Sequence, residues 1–141
     1  MLGRKNFTQE EIDHSRAEVI QLLAAHEKLV KAGAGADKKT SSAQEAFDAL
    51  FFNSMVLVLD RPFVHRVRMV AGKDGNPVNE VEMLCDSLMN NNGILRDSTV
   101  IKLIPDRSVL KIRVGDRIRL NAEEFERLSM AFYAELEAKF L

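Results

Sequence analysis

One stretch of the chain, LDRPFVHRVRMVAGKDGNPVNEVEM at residues 59–83, combines three arginines, a lysine and a histidine with valines and a glycine-rich turn. Guanidinium groups bind phosphate or carboxylate through paired hydrogen bonds, and a nearby histidine can donate a proton or a hydrogen bond. The segment 61–76 therefore predicts a candidate anion site, whose ligand-binding residues are Arg61, His65, Arg68 and Lys73. Backbone N–H groups of its glycine-rich turn would add donors. The expected ligand is a small phosphorylated or carboxylated molecule.

The spacing of these residues predicts which way they face. If residues 56–70 form one helix despite Pro62, then Arg61, His65 and Arg68 lie on one side of it. The opposite side carries an apolar stripe made of Val56, Leu59, Phe63, Val67 and Val70. The basic stripe is therefore expected to point away from the core.

A competing arrangement needs no ligand. The next predicted helix carries Glu82 and Asp86, one helical turn apart. If that helix folds back across the glycine-rich turn, these acids can pair with Arg61 and Arg68 inside the molecule. The sequence leaves open whether the arginines are free or already neutralised.

No catalytic or metal-binding pattern stands out elsewhere. Glu-x-x-His, which di-iron helical bundles use in pairs, occurs once, at Glu11–His14. His26 falls within an apolar stripe and is expected to be buried, and no serine lies in a G-x-S-x-G turn. We therefore predict no metal site and no cofactor, and we favour a protein that is not an enzyme. A catalytic site around His65 with Glu80 or Asp60 is a weaker alternative.

Size and composition predict a cytoplasmic globular protein with a single domain, residues 1–141. A formal charge of −1 gives no general attraction to nucleic acids or acidic membranes. The lone cysteine, Cys85, cannot form an intrachain disulfide, and the N-terminus lacks the apolar segment of a secretory leader. The longest uncharged apolar run has 11 residues, whereas a membrane span needs about 20.

Capping patterns and helical periodicity predict three or four helices. The patterns that open helices are Thr8 with Glu11, Asn76 with Pro77, and Asn121 with Glu124. Glycine and small polar residues at 33–41 predict a flexible loop, followed by a second helix from about Ser42. The last helix has an apolar stripe made of Phe125, Leu128, Phe132 and Leu136.

Alternating apolar and polar residues before the last helix predict strands. The segments TVIKLI, VLKIRV and RIRL favour a small antiparallel sheet, either a hairpin or three strands. A three-residue loop at 115–117 would pair Val114 with Ile118 and Ile112 with Leu120, which gives one apolar face. The predicted fold class is therefore α+β, with the sheet inserted before the C-terminal helix.

The two faces of that sheet bear on possible partners. Its outer face would carry Lys111, Arg113 and Arg119, without the interleaved aromatic residues that stack on bases. A nucleic-acid partner is therefore unlikely on sequence grounds. The second helix, in contrast, has more apolar residues than one buried face needs, namely Phe51, Phe52, Met55, Leu57 and Val58. Leftover apolar surface is commonly buried in a homodimer.

Three segments carry a resemblance to known sequences. They are FFNSMVLVLDRPFVHRVR, GKDGNPVNEVEMLCDSL, and the pair IKL and GDRIRL. From Phe47 to the C-terminus the chain resembles a small family of uncharacterised bacterial proteins of actinobacterial type. The resemblance implies a bacterial, intracellular protein and assigns no functional residue. Surplus apolar surface and the lack of a catalytic pattern lead separately to the hypothesis of a non-enzymatic, self-associating binding or assembly module.

Overall fold

The computed structural model describes residues 7–68 and 70–141, except for the side chains of His65 and Arg66. Four long helices and one short helix follow each other in the order α1 (Gln9–Ala32), α2 (Lys38–Asp60), α3 (Val64–Val67), α4 (Pro77–Asn90) and α5 (Ala122–Phe140). A single 3-10 turn, Pro105–Arg107, lies in the long connection between α4 and α5. The fold is all-helical over these residues, so the prediction of an α+β fold is wrong.

The three predicted capping patterns are confirmed, whereas α2 begins at Lys38 rather than near Ser42. The side chain of Thr8 accepts a hydrogen bond from the backbone N–H of Glu11, which opens α1. Asn76 does the same for α4 and is followed by Pro77, while a reciprocal capping box opens α5. Side-chain capping of this kind satisfies backbone donors that have no partner inside the helix.

Helix α5 forms the centre of the core. Its predicted apolar stripe is confirmed, since Phe125, Leu128, Phe132 and Leu136 are fully buried. The helix packs against α1, α2 and α4, which surround it. Edge-on contacts among aromatic rings, such as Phe63 with Phe132, fill the space at its C-terminal half.

Backbone groups of the segments predicted as strands form hydrogen bonds with polar side chains of the helices. The carboxylate of Glu80 accepts from the backbone N–H groups of Val109 (2.8 Å) and Leu110 (3.0 Å). The amide of Asn53 donates to the carbonyl of Ile118 (2.8 Å) and accepts from the N–H of Leu120 (3.1 Å). Residues 108–110 form a bend, with Lys111 at φ of +58° directly after it, and both this segment and 118–120 are bonded to a helix rather than to another strand.

The segment predicted as a hairpin forms only a turn, and this turn is hydrogen-bonded to a different part of the chain. Residues 115–118 exchange backbone hydrogen bonds with residues 93–95, and the isolated bridge there joins Ile94 to Arg117. Ile118 and Leu120 are buried, as the alternating pattern indicated, but Val114 is 53% exposed. The predicted pairs of Val114 with Ile118 and of Ile112 with Leu120 are therefore absent from the described connection.

Segment 99–104, also predicted as a strand, lies against the glycine-rich turn. The N–H of Lys102 donates to the carbonyl of Lys73 (3.0 Å). Gly75 faces the same segment with φ of +84°, and a Cβ there would lie 2.3 Å from the carbonyl oxygen of Lys102. Only glycine therefore fits this close crossing.

The helix predicted over 56–70 is interrupted. Helix α2 ends at Asp60 and a turn follows over 61–63, because Pro62 has no N–H and cannot continue the ladder. The short helix α3 follows after this turn. The apolar side chains of the segment still reach the core, since Val56, Leu59, Phe63 and Val67 are buried.

Helices α1 and α2 form an antiparallel hairpin whose outer end has few core contacts. The segment predicted as a flexible loop, 33–41, is a turn over 33–37, and residues 38–41 already belong to α2 with Asp37 as its N-cap. All buried residues of α1 lie in its first half, and every residue from 27 to 43 is exposed. None of the helices described is both long enough and apolar enough to cross a membrane.

Candidate functional site

The predicted anion site is divided in the structure. Arg68 and Lys73 face α4, whereas Arg61 is exposed at the end of α2 and lines the groove between α1 and α2. His65 is the fourth predicted residue, and its side chain lies outside the described part of the structure. The described members of the set therefore do not converge on one ligand position.

Arg68 is engaged by acids of the chain itself. Two parallel hydrogen bonds join its guanidinium to Asp60, with nitrogen–oxygen distances of 3.0 and 2.7 Å. Its Nε lies 3.6 Å from a carboxylate oxygen of Glu82. Asp60 is almost completely buried, so this bidentate pair occupies the face of the guanidinium that a ligand would need.

The competing arrangement predicted from the sequence is found in part. Glu82 approaches both Arg68 and Lys73, the latter at 3.9 Å between Nζ and Oε2. Asp86 instead binds Arg96, at 2.8 Å from each carboxylate oxygen to Nη2. Hydrogen bonds from Asn90 and then Arg96 hold the pKa of Asp86 below its usual value.

Asp60 and Arg96 were absent from the predicted site. The sequence offers Asp60 only as a weaker catalytic alternative, yet the turn at Pro62 brings Arg68 back onto it. The signal available in the sequence was Pro62 itself, since a break there changes the direction of every later side chain.

A polar cleft of about 560 Å³ lies beside these pairs, between α4 and segment 96–101. Its charged lining residues are two arginines and three acids, namely Arg68, Arg96, Glu82, Asp86 and Asp97. The cleft thus has no excess of positive charge to attract an anion. One oxygen of Glu82 is buried without a hydrogen-bond partner among the described residues, which also disfavours an anionic occupant.

Cys85 is a core residue in the structure. It is buried on α4, and its Sγ lies 3.7 Å from the carbonyl oxygen of Val56. Burial raises the pKa of the thiol to about 12, and the charge of Asp60 adds to the effect. Such a thiol stays protonated at neutral pH and is a poor nucleophile.

A furrow with exposed apolar side chains runs along the hairpin. We call the furrow between these two helices the α1/α2 groove. It is lined by Leu22, Ala25 and Leu29 of α1 and by Phe47, Phe51, Met55 and Val58 of α2. Phe47 and Phe51 stack on each other with ring centroids 5.6 Å apart, which makes one wall aromatic.

Several of these apolar side chains lie largely in solvent. Leu29 is 60% exposed, Phe47 54% and Val58 51%, and neighbouring Leu50 reaches 72%. Single exposed apolar residues are common, but three of them line this one groove, with the half-buried Phe51 and the buried Met55 between Phe47 and Val58. From Glu18 to Leu29 the groove extends about 16 Å along α1, at the helical rise per residue.

A histidine closes the floor of this groove. His26 Nε2 lies 3.0 Å from a carboxylate oxygen of Asp48, and the ring packs edge-on against Phe52. It is nearly buried, in agreement with its predicted place in the apolar stripe. This contact joins α1 to α2 where the hairpin leaves the body of the fold.

Metal binding has no support in the described part of the chain. No group of three or more histidine, cysteine, aspartate or glutamate side chains is placed there to hold an ion. His14 lies at the surface, 3.2 Å from Glu18. The single Glu-x-x-His motif is therefore explained by the polar face of α1.

No family model, curated protein or solved structure matches this chain, so the surfaces described above rest on their geometry alone.

Proposed function

We propose that the protein is a non-enzymatic assembly module that forms a homodimer through the α1/α2 groove. The main support for this proposal is the exposure of apolar side chains along the groove of the hairpin, above all Leu29, Phe47 and Val58. Burying these side chains against an equivalent surface removes apolar area from water. Each Å² buried contributes about 25 cal/mol to the free energy of association. A second copy supplies a surface of matching length and chemistry.

The charges beside the groove fit a two-fold contact. Glu18 and Arg61 line the same end of it, are both exposed, and have opposite charges. Arg61 has no ion-pair partner within residues 7–68 and 70–141 as the structure describes them. A two-fold axis near this end places Glu18 of one copy opposite Arg61 of the other, which yields two ion pairs for each dimer. Arg61 would thus recognise a protein carboxylate rather than a small ligand.

Charge reversal at these two positions provides the test. Glu18→Arg or Arg61→Glu alone places like charges across the contact, and each is expected to raise the dimer Kd about tenfold or more. The double variant Glu18→Arg/Arg61→Glu restores opposite charges and is expected to recover dimerisation. Sedimentation velocity over a range of micromolar concentrations measures all three.

Two control variants separate this contact from general surface effects. Arg119→Glu reverses an exposed arginine elsewhere and should leave the dimer Kd unchanged. Phe47→Lys should weaken the dimer, whereas Met89→Lys, at a residue 62% exposed on α4, should not. A monomeric wild type, or a double variant no better than the single ones, would contradict the proposal.

Binding of a small anion is the alternative function, and it has less support. Arg68 already holds Asp60 in a bidentate pair, and the adjoining cleft contains more acids than arginines.

As part of the proposal we place the module in the cytoplasm, because its one cysteine is buried in the core and unpaired. Cell fractionation with an antibody to the native protein tests that placement.

A further inference from the structure

A second groove runs along the opposite side of α1, where this helix packs against α5. It consists of two adjoining depressions of about 540 and 340 Å³ that share Ile20, Leu23 and Glu126 as lining residues. We call it the α1/α5 groove. Its floor is apolar, and two of its residues are well exposed, Ile20 at 59% and Met130 at 65%.

The groove has the length of a short helix. It extends from Ala122 at the start of α5 to Glu137 near its end. At the helical rise per residue that distance is about 22 Å, or four turns of a bound helix. An amphipathic helix is the usual occupant of an apolar groove with these dimensions.

The charges of the rim are almost all negative. Four glutamates and one arginine line the groove, namely Glu27, Glu123, Glu126, Glu137 and Arg16. Two of the glutamates are already neutralised, since Glu27 pairs with Lys31 and Glu137 pairs with Arg16. Glu123 and Glu126 have no cationic partner in the portion of the chain described.

The helix dipole accounts for only one of these two acids. Glu123 lies in the first turn of α5, where a negative charge is favoured without any ligand. Glu126 lies one turn further along and is exposed beside Ile20 and Leu23. Its unpaired charge at the edge of an apolar floor is therefore the feature that indicates a cationic partner.

The same charges argue against other occupants. A two-fold contact between two copies of this face would bring glutamates against glutamates, which repel each other. An anionic membrane or a nucleic acid would be repelled for the same reason. A helix with lysines or arginines beside an apolar stripe complements both the floor and the rim.

We propose that the α1/α5 groove binds an amphipathic, basic α-helix of another protein. The apolar face of that helix would cover Ile20, Leu23 and Met130. Its cations would pair with Glu123 and Glu126. His26 and Val19 line both grooves, but the exposed floor residues Ile20 and Met130 do not line the α1/α2 groove, so the protein could hold such a partner while it is dimeric.

A synthetic probe tests this inference on the intact protein. The probe is a fluorescein-labelled peptide of about 15 residues, the length of the groove, made only of leucine and lysine at helical spacing. Fluorescence anisotropy at physiological salt is expected to show saturable binding. Glu126→Lys should weaken it at least about tenfold, which corresponds to 1.4 kcal/mol. The same peptide with glutamate in place of lysine should not bind.

Matched variants distinguish the groove from general attraction to an acidic protein. Glu45→Lys changes the net charge equally at an exposed position of α2 and should leave the affinity within about twofold. Met130→Lys should weaken binding through the floor. Equal losses in Glu45→Lys and Glu126→Lys, or no saturable binding, would overturn the inference. Neither result affects the dimer, which sedimentation measures independently.

Discussion

Replacing Glu80 with alanine is expected to lower the free energy of unfolding by about 3–5 kcal/mol. The side chain is buried, and its two carboxylate oxygens accept hydrogen bonds from Val109 and Leu110. Alanine leaves both N–H groups unsatisfied away from water and opens a cavity beside α4. Urea unfolding followed by circular dichroism, at one fixed protein concentration, measures the loss.

Two further variants identify the cause of that loss. Glu80→Gln keeps one acceptor and most of the volume, so it should cost about half as much. Glu82→Ala removes an acid of the same helix that accepts no hydrogen bond through Oε2, and should cost about 1 kcal/mol or less. If Glu80→Ala and Glu82→Ala cost the same, the carboxylate of Glu80 does not hold the connection in place.

Glu80 also determines part of the pH dependence of stability. Burial raises the pKa of Glu80 above 4.5, although the two backbone hydrogen bonds act in the opposite direction. A raised pKa means that the folded state keeps its proton longer than the unfolded chain does. Its favourable contribution is complete below 4.5 and is lost as the pH rises through the folded-state pKa. Relative to Glu80→Gln, the wild type should therefore lose stability over that window.

The second large effect is expected for Asp60→Ala, at about 3–5 kcal/mol. The substitution leaves the guanidinium of Arg68, whose side chain is 24% exposed, with only the longer contact to Glu82. Breaking one member of a mostly buried pair costs more than the pair contributes, because the remaining charge stays desolvated. Asp86→Ala is the matched control. Its pair with Arg96 has similar geometry but is nearly half exposed, so it should cost less than about 1 kcal/mol.

A double variant separates the charge from the packing. Asp60→Leu/Arg68→Met removes both charges while it keeps apolar volume, and its stability should lie much closer to wild type than that of Asp60→Ala. If the double variant is as unstable as the single one, the cost arises from lost packing. If Asp60→Ala is nearly neutral, then Arg68 does not depend on Asp60, and the case for the small-anion alternative becomes stronger.

The starts of α1, α4 and α5 could be predicted because their signals are local. Thr8, Asn76 and Asn121 bond to backbone N–H groups three residues ahead, so the cap and its target lie in the same stretch of chain. The buried stripe of α5 follows from helical periodicity alone. These features need no knowledge of what lies across the core.

The prediction of a sheet was wrong because alternation of apolar and polar residues indicates which side chains are buried, but not which groups the backbone bonds to. Ile118 and Leu120 are buried and Arg119 is exposed, as in a strand. Whether such a segment bonds to another strand depends on which groups the fold brings beside it. Here those groups are the amide of Asn53 and the carboxylate of Glu80, both of which are far away in sequence.

The candidate site shows the same division. The sequence by itself determined that Arg61, Arg68 and Lys73 are near one another along the chain, that α2 carries more apolar residues than one buried face needs, and where α1, α4 and α5 begin. Only the tertiary structure decided that Arg68 meets Asp60 while Arg61 faces α1, and that the surplus apolar residues form a groove. The physical reason is that caps and stripes are local, whereas charge pairing and exposure depend on how the chain turns at Pro62 and on what packs there.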